Sequence, residues 1–241
     1  MYNHHMSILK REGDSAVEGL INFIRVSPTA VWLTYILTLC TNAVGRLFRF
    51  VFRHDKKPSG SDSAGAYVPS APINGQGIGP VSEYPFGKYK MCYNGCAVIA
   101  AYNALCILDS PADIGETADY FEGRGIILGG TFGVHPLAVN RFLRSRGHSV
   151  KTVFAGHRKN QDRLDRALND AGAAVFTFWN STAPRHKGEW EGAHTVAVKR
   201  ENGGVTVYNA HNNSSSPAKY GSLDAYIKKE GILPIVLSVL E

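Results

Sequence analysis

The order of hydrophobic and polar positions divides the 241 residues into three stretches of different character. Residues 27–45, SPTAVWLTYILTLCTNAVG, are nineteen uncharged positions in a row, close to the length needed to cross a bilayer. Thr34, Thr38, Thr41, Asn42, Arg46, Arg49 and Arg53 recur at helical spacing and line up as one polar stripe. Trp32, Leu33, Ile36, Leu37, Leu39, Val44, Leu47, Phe48, Val51 and Phe52 take the rest of that surface. The pattern suits an interfacial helix or a weak membrane span, the alternative being an amphipathic helix packed on the protein itself or on a partner. A cleavable signal peptide fits poorly, because charged, apolar and small-residue zones do not follow in order near the start. Residues 1–57 are thus set apart as a hydrophobic or amphipathic helical segment. Residues 58–80, rich in Gly, Ser, Pro and Ala, keep no apolar period and read as a flexible linker.

Residues 81–241 carry the periodic pattern of a domain. Helices are predicted at 96–107, at 111–122 with Ser110 as cap and Pro111 in the first turn, at 136–145, at 160–172 and at 222–231. Strands are predicted at 149–154, 173–179, 194–199, 204–208 and 232–240, with RENGG turning the third into the fourth. Helices come first and antiparallel strands last, so the class is α+β, with helices grouped against one sheet.

Composition narrows the function. A hydrophobic fraction of 44% is enough for a proper core. The formal charge of +6 is modest, and half of it comes from the first 70 residues, where eight Lys and Arg face five Asp and Glu. With no zinc-finger spacing, ribonucleoprotein motif or dense basic helix in the main body, nucleic acid is not an expected partner. Five basic residues between Arg46 and Lys57 face the single acid Asp55, which suits a membrane surface or bilayer as a partner of residues 27–53. If the segment spans, this flank places the C-terminal domain in the cytoplasm or at the cytoplasmic membrane face. Four cysteines do not make a disulfide scaffold in a chain this long.

The stretch MCYNGCAVIAAYNAL carries the candidate chemistry. Cys96 stands at a helix start, where unpaired N–H groups and the macrodipole favour a thiolate. Asn94-Gly95 supplies the tight turn that exposes it, and small Ala97 leaves room beside the sulfur. A base comes from His194, which opens the strand HTVAV. Fifteen residues on, Asn209 ends the next strand, and the RENGG hairpin makes the two near neighbours, so that the Asn209 carboxamide can accept the imidazole N–H. His211 is the rival base should the register differ. A zinc site from Cys92, Cys96, His194 and His211 is disfavoured by the loose Cys-x3-Cys spacing, and a Cys92–Cys96 disulfide would disable the nucleophile. GQGIGP resembles a phosphate loop only superficially. The glycines of LGGTFGVHP, Gly130 among them, allow close backbone approach, and His135 before Pro136 either lines a groove or caps a helix. Trp190 and Trp179 are candidates to wall the site.

NGCAVIAAYNAL with GAHTVAVKRENGGVTVYN resembles the papain-like cysteine peptidases, and among them the bacterial branch of bacteriocin-processing, double-glycine leader peptidases and their stand-alone relatives. The likeness covers roughly residues 84–241. It implies a papain-like fold with N-terminal helices packed against a C-terminal antiparallel sheet, a nucleophile at Cys96, a general base at His194 and an orienting residue at Asn209. It also implies a peptide or protein substrate and no metal or other cofactor. Where the family carries a Gln six residues before the cysteine, this chain has Lys90, so the oxyanion donor is open among Asn94, Tyr93 and Lys90 beside the Cys96 N–H. The expected reaction is thiol-dependent hydrolysis of a peptide or amide bond. An acyl or peptidyl transferase on the same scaffold, or an inactive binding module tethered by its N-terminal helix, are the alternatives.

Overall fold

The computed structural model describes residues 27–51, 71–155, 161–169, 171–180 and 192–241. After α1 (Pro28–Val51), a two-stranded ribbon of β1 (Pro85–Phe86) and β2 (Tyr89–Lys90) leads through the single turn α2 (Met91–Asn94) into α3 (Cys96–Ile107). Then come α4 (Ile114–Arg124), α5 (Pro136–Ser145), β3 (Val150–Phe154), α6 (Gln161–Ala167), β4 (Ala173–Trp179), β5 (Ala193–Glu201), β6 (Gly204–Tyr208), β7 (Ala218–Tyr220), α7 (Leu223–Glu230) and β8 (Leu233–Leu240). The class is α+β, and the main sheet is antiparallel throughout, in the order β3-β8-β4-β5-β6-β7.

Helix α3 is apolar all round, and every residue from Cys96 to Leu105 is buried, which makes it the centre of the molecule rather than a surface helix. It packs on β5 and β4. The period of two along each strand then sends side chains to two cores. Ala173, Val175, Ala197, Val236 and Leu240 face α3, α4 and α5, while Phe176, Phe178, Val196, Val198, Val205, Val207 and Leu237 face α6 and α7. Helices therefore cover both faces of the sheet, not one as the element order suggested. The near-continuous hydrophobic run of β4 is the sequence mark of such a doubly covered strand. Between β4 and β8 the register shifts at Thr177/Phe178, leaving Ile235 as the extra residue, turned like Val236 toward the α3 side.

The helix predicted from Ser110 and Pro111 begins at Ile114 instead. Asp113 is the cap, its carboxylate accepting the Glu116 N–H at 2.9 Å. Residues 71–80, assigned to the linker by composition, pack on the body: Ile73 exchanges two 2.7 Å hydrogen bonds with the buried Asn103 carboxamide. Residues 52–70 lie outside the described part.

Helix α1 lies on α4 and α5. Its docked face is Val31, Tyr35 and Thr38 with Thr34 beside them, so two threonines of the polar stripe turn inward while Thr41 and Arg46 stay exposed. The two hydroxyls can do this because they bond within their own helix: Thr34 to the Ala30 and Val31 carbonyls and Thr38 to Thr34, as Thr41 does to Thr38. Trp32, Leu33, Ile36, Leu37 and Val44 are left exposed. Among the described residues, no helix is long and apolar enough to cross a membrane.

Candidate active site

Cys96 is the first residue of α3, and Gly95 is the joint between α2 and α3. Gly95 has an ordinary negative φ of -85°, so the requirement for glycine is one of space. A Cβ there would fall 2.0 Å from Met91 Sδ and 2.7 Å from the Met91 carbonyl. Close packing of the two helical segments sets the place of Cys96. It also buries it: Cys96 is 8% exposed, where the Asn-Gly turn had been expected to present it to solvent. Burial pushes the Cys96 thiol above its ordinary value, and hydrogen bonds from Thr195 and the Ala97 main chain pull it back in part. The direction is opposite to the lowering expected from a helix start.

His194 is the second residue of β5. Its ring stands edge-on to Phe178, centroids 5.6 Å apart, and Nε2 lies 2.9 Å from the Asn209 main-chain oxygen. A carbonyl only accepts, so Nε2 carries the proton and Nδ1 is the basic nitrogen of the neutral ring. The imidazole is thus held by the Asn209 main chain, where the sequence pointed to its carboxamide. The β5–β6 ladder ends at the pair Ala197↔Tyr208, and Asn209 turns out of it at φ 58°, a left-handed value that Asn tolerates better than most residues. That turn aims the carbonyl back at the imidazole.

The Asn209 carboxamide, 1% exposed, is spent on Gln76. Its Oδ1 accepts the Gln76 N–H at 3.0 Å and its Nδ2 donates to Gln76 Oε1 at 3.1 Å, while the Asn209 N–H donates to Asn74 Oδ1 at 2.9 Å. Gln76 Nε2 in turn donates to the Cys92 carbonyl at 3.1 Å and, at 3.5 Å, to that of Met91. Gln76 therefore ties Asn209, whose main chain holds the His194 ring, to the turn that leads into Cys96. Sequence reasoning missed it inside the supposed linker. The signal was in the flanking glycines: Gly75 has φ +70°, and a Cβ on Gly77 would fall 2.7 Å from Asn213 Oδ1.

Gln76, Cys92, Tyr93, Cys96, His194 and His211 line one cavity of about 110 Å³. His211, the rival base, shares the space but not the hydrogen bond to Asn209. All four cysteines are free. Among the described residues, no group of three or more His, Cys, Asp or Glu could hold a metal ion.

Cys96 also lines a second, larger cavity of about 660 Å³, walled by α1, the 127–136 loop, Thr177, Trp179 and Ile235. Of the three oxyanion candidates, Lys90 lines neither cavity and is exposed in an ion pair with Glu83. Asn94 uses Nδ2 on the Phe86 and Gly130 carbonyls, 3.2 Å each. Tyr93 lines both cavities, its ring stacked on Tyr89 at 4.6 Å. Gly130 lines neither: it is the place where the loop presses on Asn94, whose Nδ2 would be 2.1 Å from a Cβ there. His135 does both things foreseen for it. Nδ1 accepts the Leu137 N–H at 3.2 Å, capping α5, while the ring lines the larger cavity, stacks on Tyr35 and meets Thr34 Oγ1 at 3.1 Å through Nε2. Burial lowers its pKa to about 4, so the ring is neutral at pH 7. Trp190 lies outside the described residues.

No protein-family profile matches the chain, and a search of characterised proteins returned no significant similarity.

Proposed function

We propose that this protein is a papain-like thiol hydrolase acting on a peptide or amide bond. The observation that carries the reading is the shared cavity of Cys96, at the start of a buried helix, and His194, whose Nε2 proton is held by the Asn209 carbonyl. Proton transfer to His194 Nδ1 generates the thiolate, which burial alone disfavours. The thiolate attacks the carbonyl carbon, the C–N bond breaks, and the imidazolium delivers its proton to the leaving amine. Water activated by neutral His194 then hydrolyses the thioester. We assign the oxyanion to the first main-chain N–H groups of α3, which lack a carbonyl one turn back within that helix, and to Tyr93. Asn209 acts through its main chain, and Gln76 is a positioning residue. Residues 27–53 are proposed to rest on a membrane surface through the exposed face of α1.

One observation favours the silent binding module: the burial that raises the Cys96 thiol. Iodoacetamide labelling of the full chain separates the two. An enzyme shows rapid alkylation at Cys96 that falls when His194 is replaced by Ala, together with cleavage of a peptide or acyl-amide library that Cys96→Ala abolishes. Cleavage retained by Cys96→Ala refutes the assignment, and slow alkylation indifferent to His194 identifies the silent module.

A further inference from the structure

The larger cavity defines the chain that the nucleophile receives, and this inference rests on the hydrolase reading. It opens directly onto Cys96 and encloses about 660 Å³, within the range of sites that hold small ligands. Among the described residues no Asp, Glu, Lys or Arg lines it, and the histidine that does, His135, is neutral at pH 7. Most polar side chains of its wall bond within the protein; the exception is Asn94, whose Nδ2 is engaged while its buried Oδ1 has no partner among the described residues. Thr34, Thr38 and Thr41 donate to helix carbonyls, Thr131 to the Leu128 carbonyl, Thr177 pairs with Thr195 at 3.1 Å, and both nitrogens of His135 are engaged. A peptide brings an N–H and a C=O per residue and needs partners for them once out of water. An aliphatic chain needs none. The rim is apolar where solvent would favour polar residues: Leu37, Leu128 and Phe132 are 64%, 58% and 60% exposed. Leu128 also holds φ 48°, a costly conformation for its type, in that rim.

We infer that the substrate is an acyl amide whose medium-length aliphatic chain lies between α1 and the 127–136 loop with its carbonyl at Cys96. The amide is cleaved to a fatty acid and an amine: the Cys96 S–C bond forms, the C–N bond breaks, His194 protonates the amine, and water releases the acid. Helix α1 is then a wall of the active site as well as an appendage.

The test uses the full chain with N-acyl-7-amino-4-methylcoumarin amides from acetyl to dodecanoyl. Each added methylene raises kcat/KM about three- to fourfold until the groove is filled, from the burial of one CH2. Leu37→Asp and Phe132→Asp bring the decanoyl-to-acetyl ratio toward one. In parallel, N-decanoylglycinamide is titrated into Cys96→Ala, which turns nothing over, and tryptophan fluorescence reads binding beside Trp179. Saturable binding, weakened at least tenfold by Phe132→Asp, is expected. Turnover that depends on Cys96 but is flat with chain length, or faster on a peptidyl coumarin amide than on any acyl one, overturns the inference and keeps the hydrolase. Binding without Cys96-dependent turnover keeps the acyl groove and sinks the hydrolase. Absence of both overturns both.

Discussion

The tie between Gln76 and Asn209 can be broken from either end, and the two breaks should not add. Gln76→Ala removes Oε1 and Nε2, stranding the Asn209 Nδ2 and the Cys92 carbonyl, while the Gln76 N–H keeps its bond to Asn209 Oδ1. Gln76 is 5% exposed and Asn209 1%, so water replaces little. Two stranded groups at about 1–3 kcal/mol each give a loss of roughly 2–6 kcal/mol. At about 2–4 °C per kcal/mol for a chain of this size, Tm falls by roughly 4–24 °C. Asn209→Gly strands the Gln76 N–H and Oε1 for a similar loss and accepts φ 58° without the strain an alanine would add. In the double variant the groups facing each other vanish together, so its loss is smaller than the sum by about 1–3 kcal/mol. Thermal unfolding of the four proteins by circular dichroism reads this, and additivity within about 0.5 kcal/mol would refute the tie. The glycine variant also tests the orienting role. Its main-chain carbonyl remains, so Cys96-dependent turnover should fall less than about tenfold, against the hundredfold or more expected from losing control of the base.

Three further outcomes arise from single features. His135 has a folded pKa of about 4 against an unfolded value near 6.5, so the stability it contributes is complete above about pH 6.5 and is lost as pH falls toward 4, roughly 3 kcal/mol over that window. Urea titrations at pH 7 and 4.5 should show this extra loss in the native chain and not in His135→Asn, which keeps a good helix cap; equal losses would remove His135 as the cause. Gly95→Ala should cost about 1–3 kcal/mol by forcing Met91 aside, with a matching fall in Cys96 alkylation, and an unchanged Tm would contradict the packing described. Leu33→Asp with Ile36→Asp, both on the exposed face of α1, should cut co-sedimentation with anionic vesicles at least tenfold, and unchanged sedimentation would rule out that face as the membrane contact.

How much of the fold is legible in the sequence depends on how local each signal is. The helices Cys96–Ile107 and Pro136–Ser145 and the strands Ala173–Trp179 and Gly204–Tyr208 have the bounds the sequence predicted, because a period change coincides there with glycine, proline or a turn. The helix start at Ile114 went wrong because Pro111 and Asp113 compete as start signals, and the carboxylate that reaches the Glu116 N–H wins. The short β1, β2 and β7 carry no period of their own and exist through their partners. The stripe on α1 was visible, but not that Thr34 and Thr38 would turn inward, since a hydroxyl satisfied by its own helix behaves as a small apolar group.

The same distinction separates the two halves of the site. Cys96 and His194 are each announced by the element at whose start they stand, the first residue of a helix and the second of a strand, and local pattern suffices to bring them forward. Gln76 and the role of Asn209 depend on closure: the chain leaves β6 at φ 58° and the 71–80 segment is laid against that turn. Loss of apolar period in INGQGIG has two physical causes that look alike in composition. A linker is rich in glycine because nothing constrains it. A crowded segment is rich in glycine because a Cβ would collide, as at Gly75, 2.7 Å from the Ser214 carbonyl, and at Gly77, 2.9 Å from Asn212 Nδ2. A glutamine between such glycines, with two donors and an acceptor to satisfy, fits the crowded case, because there its polar groups can meet partners as fixed as the Asn209 carboxamide and the Cys92 carbonyl.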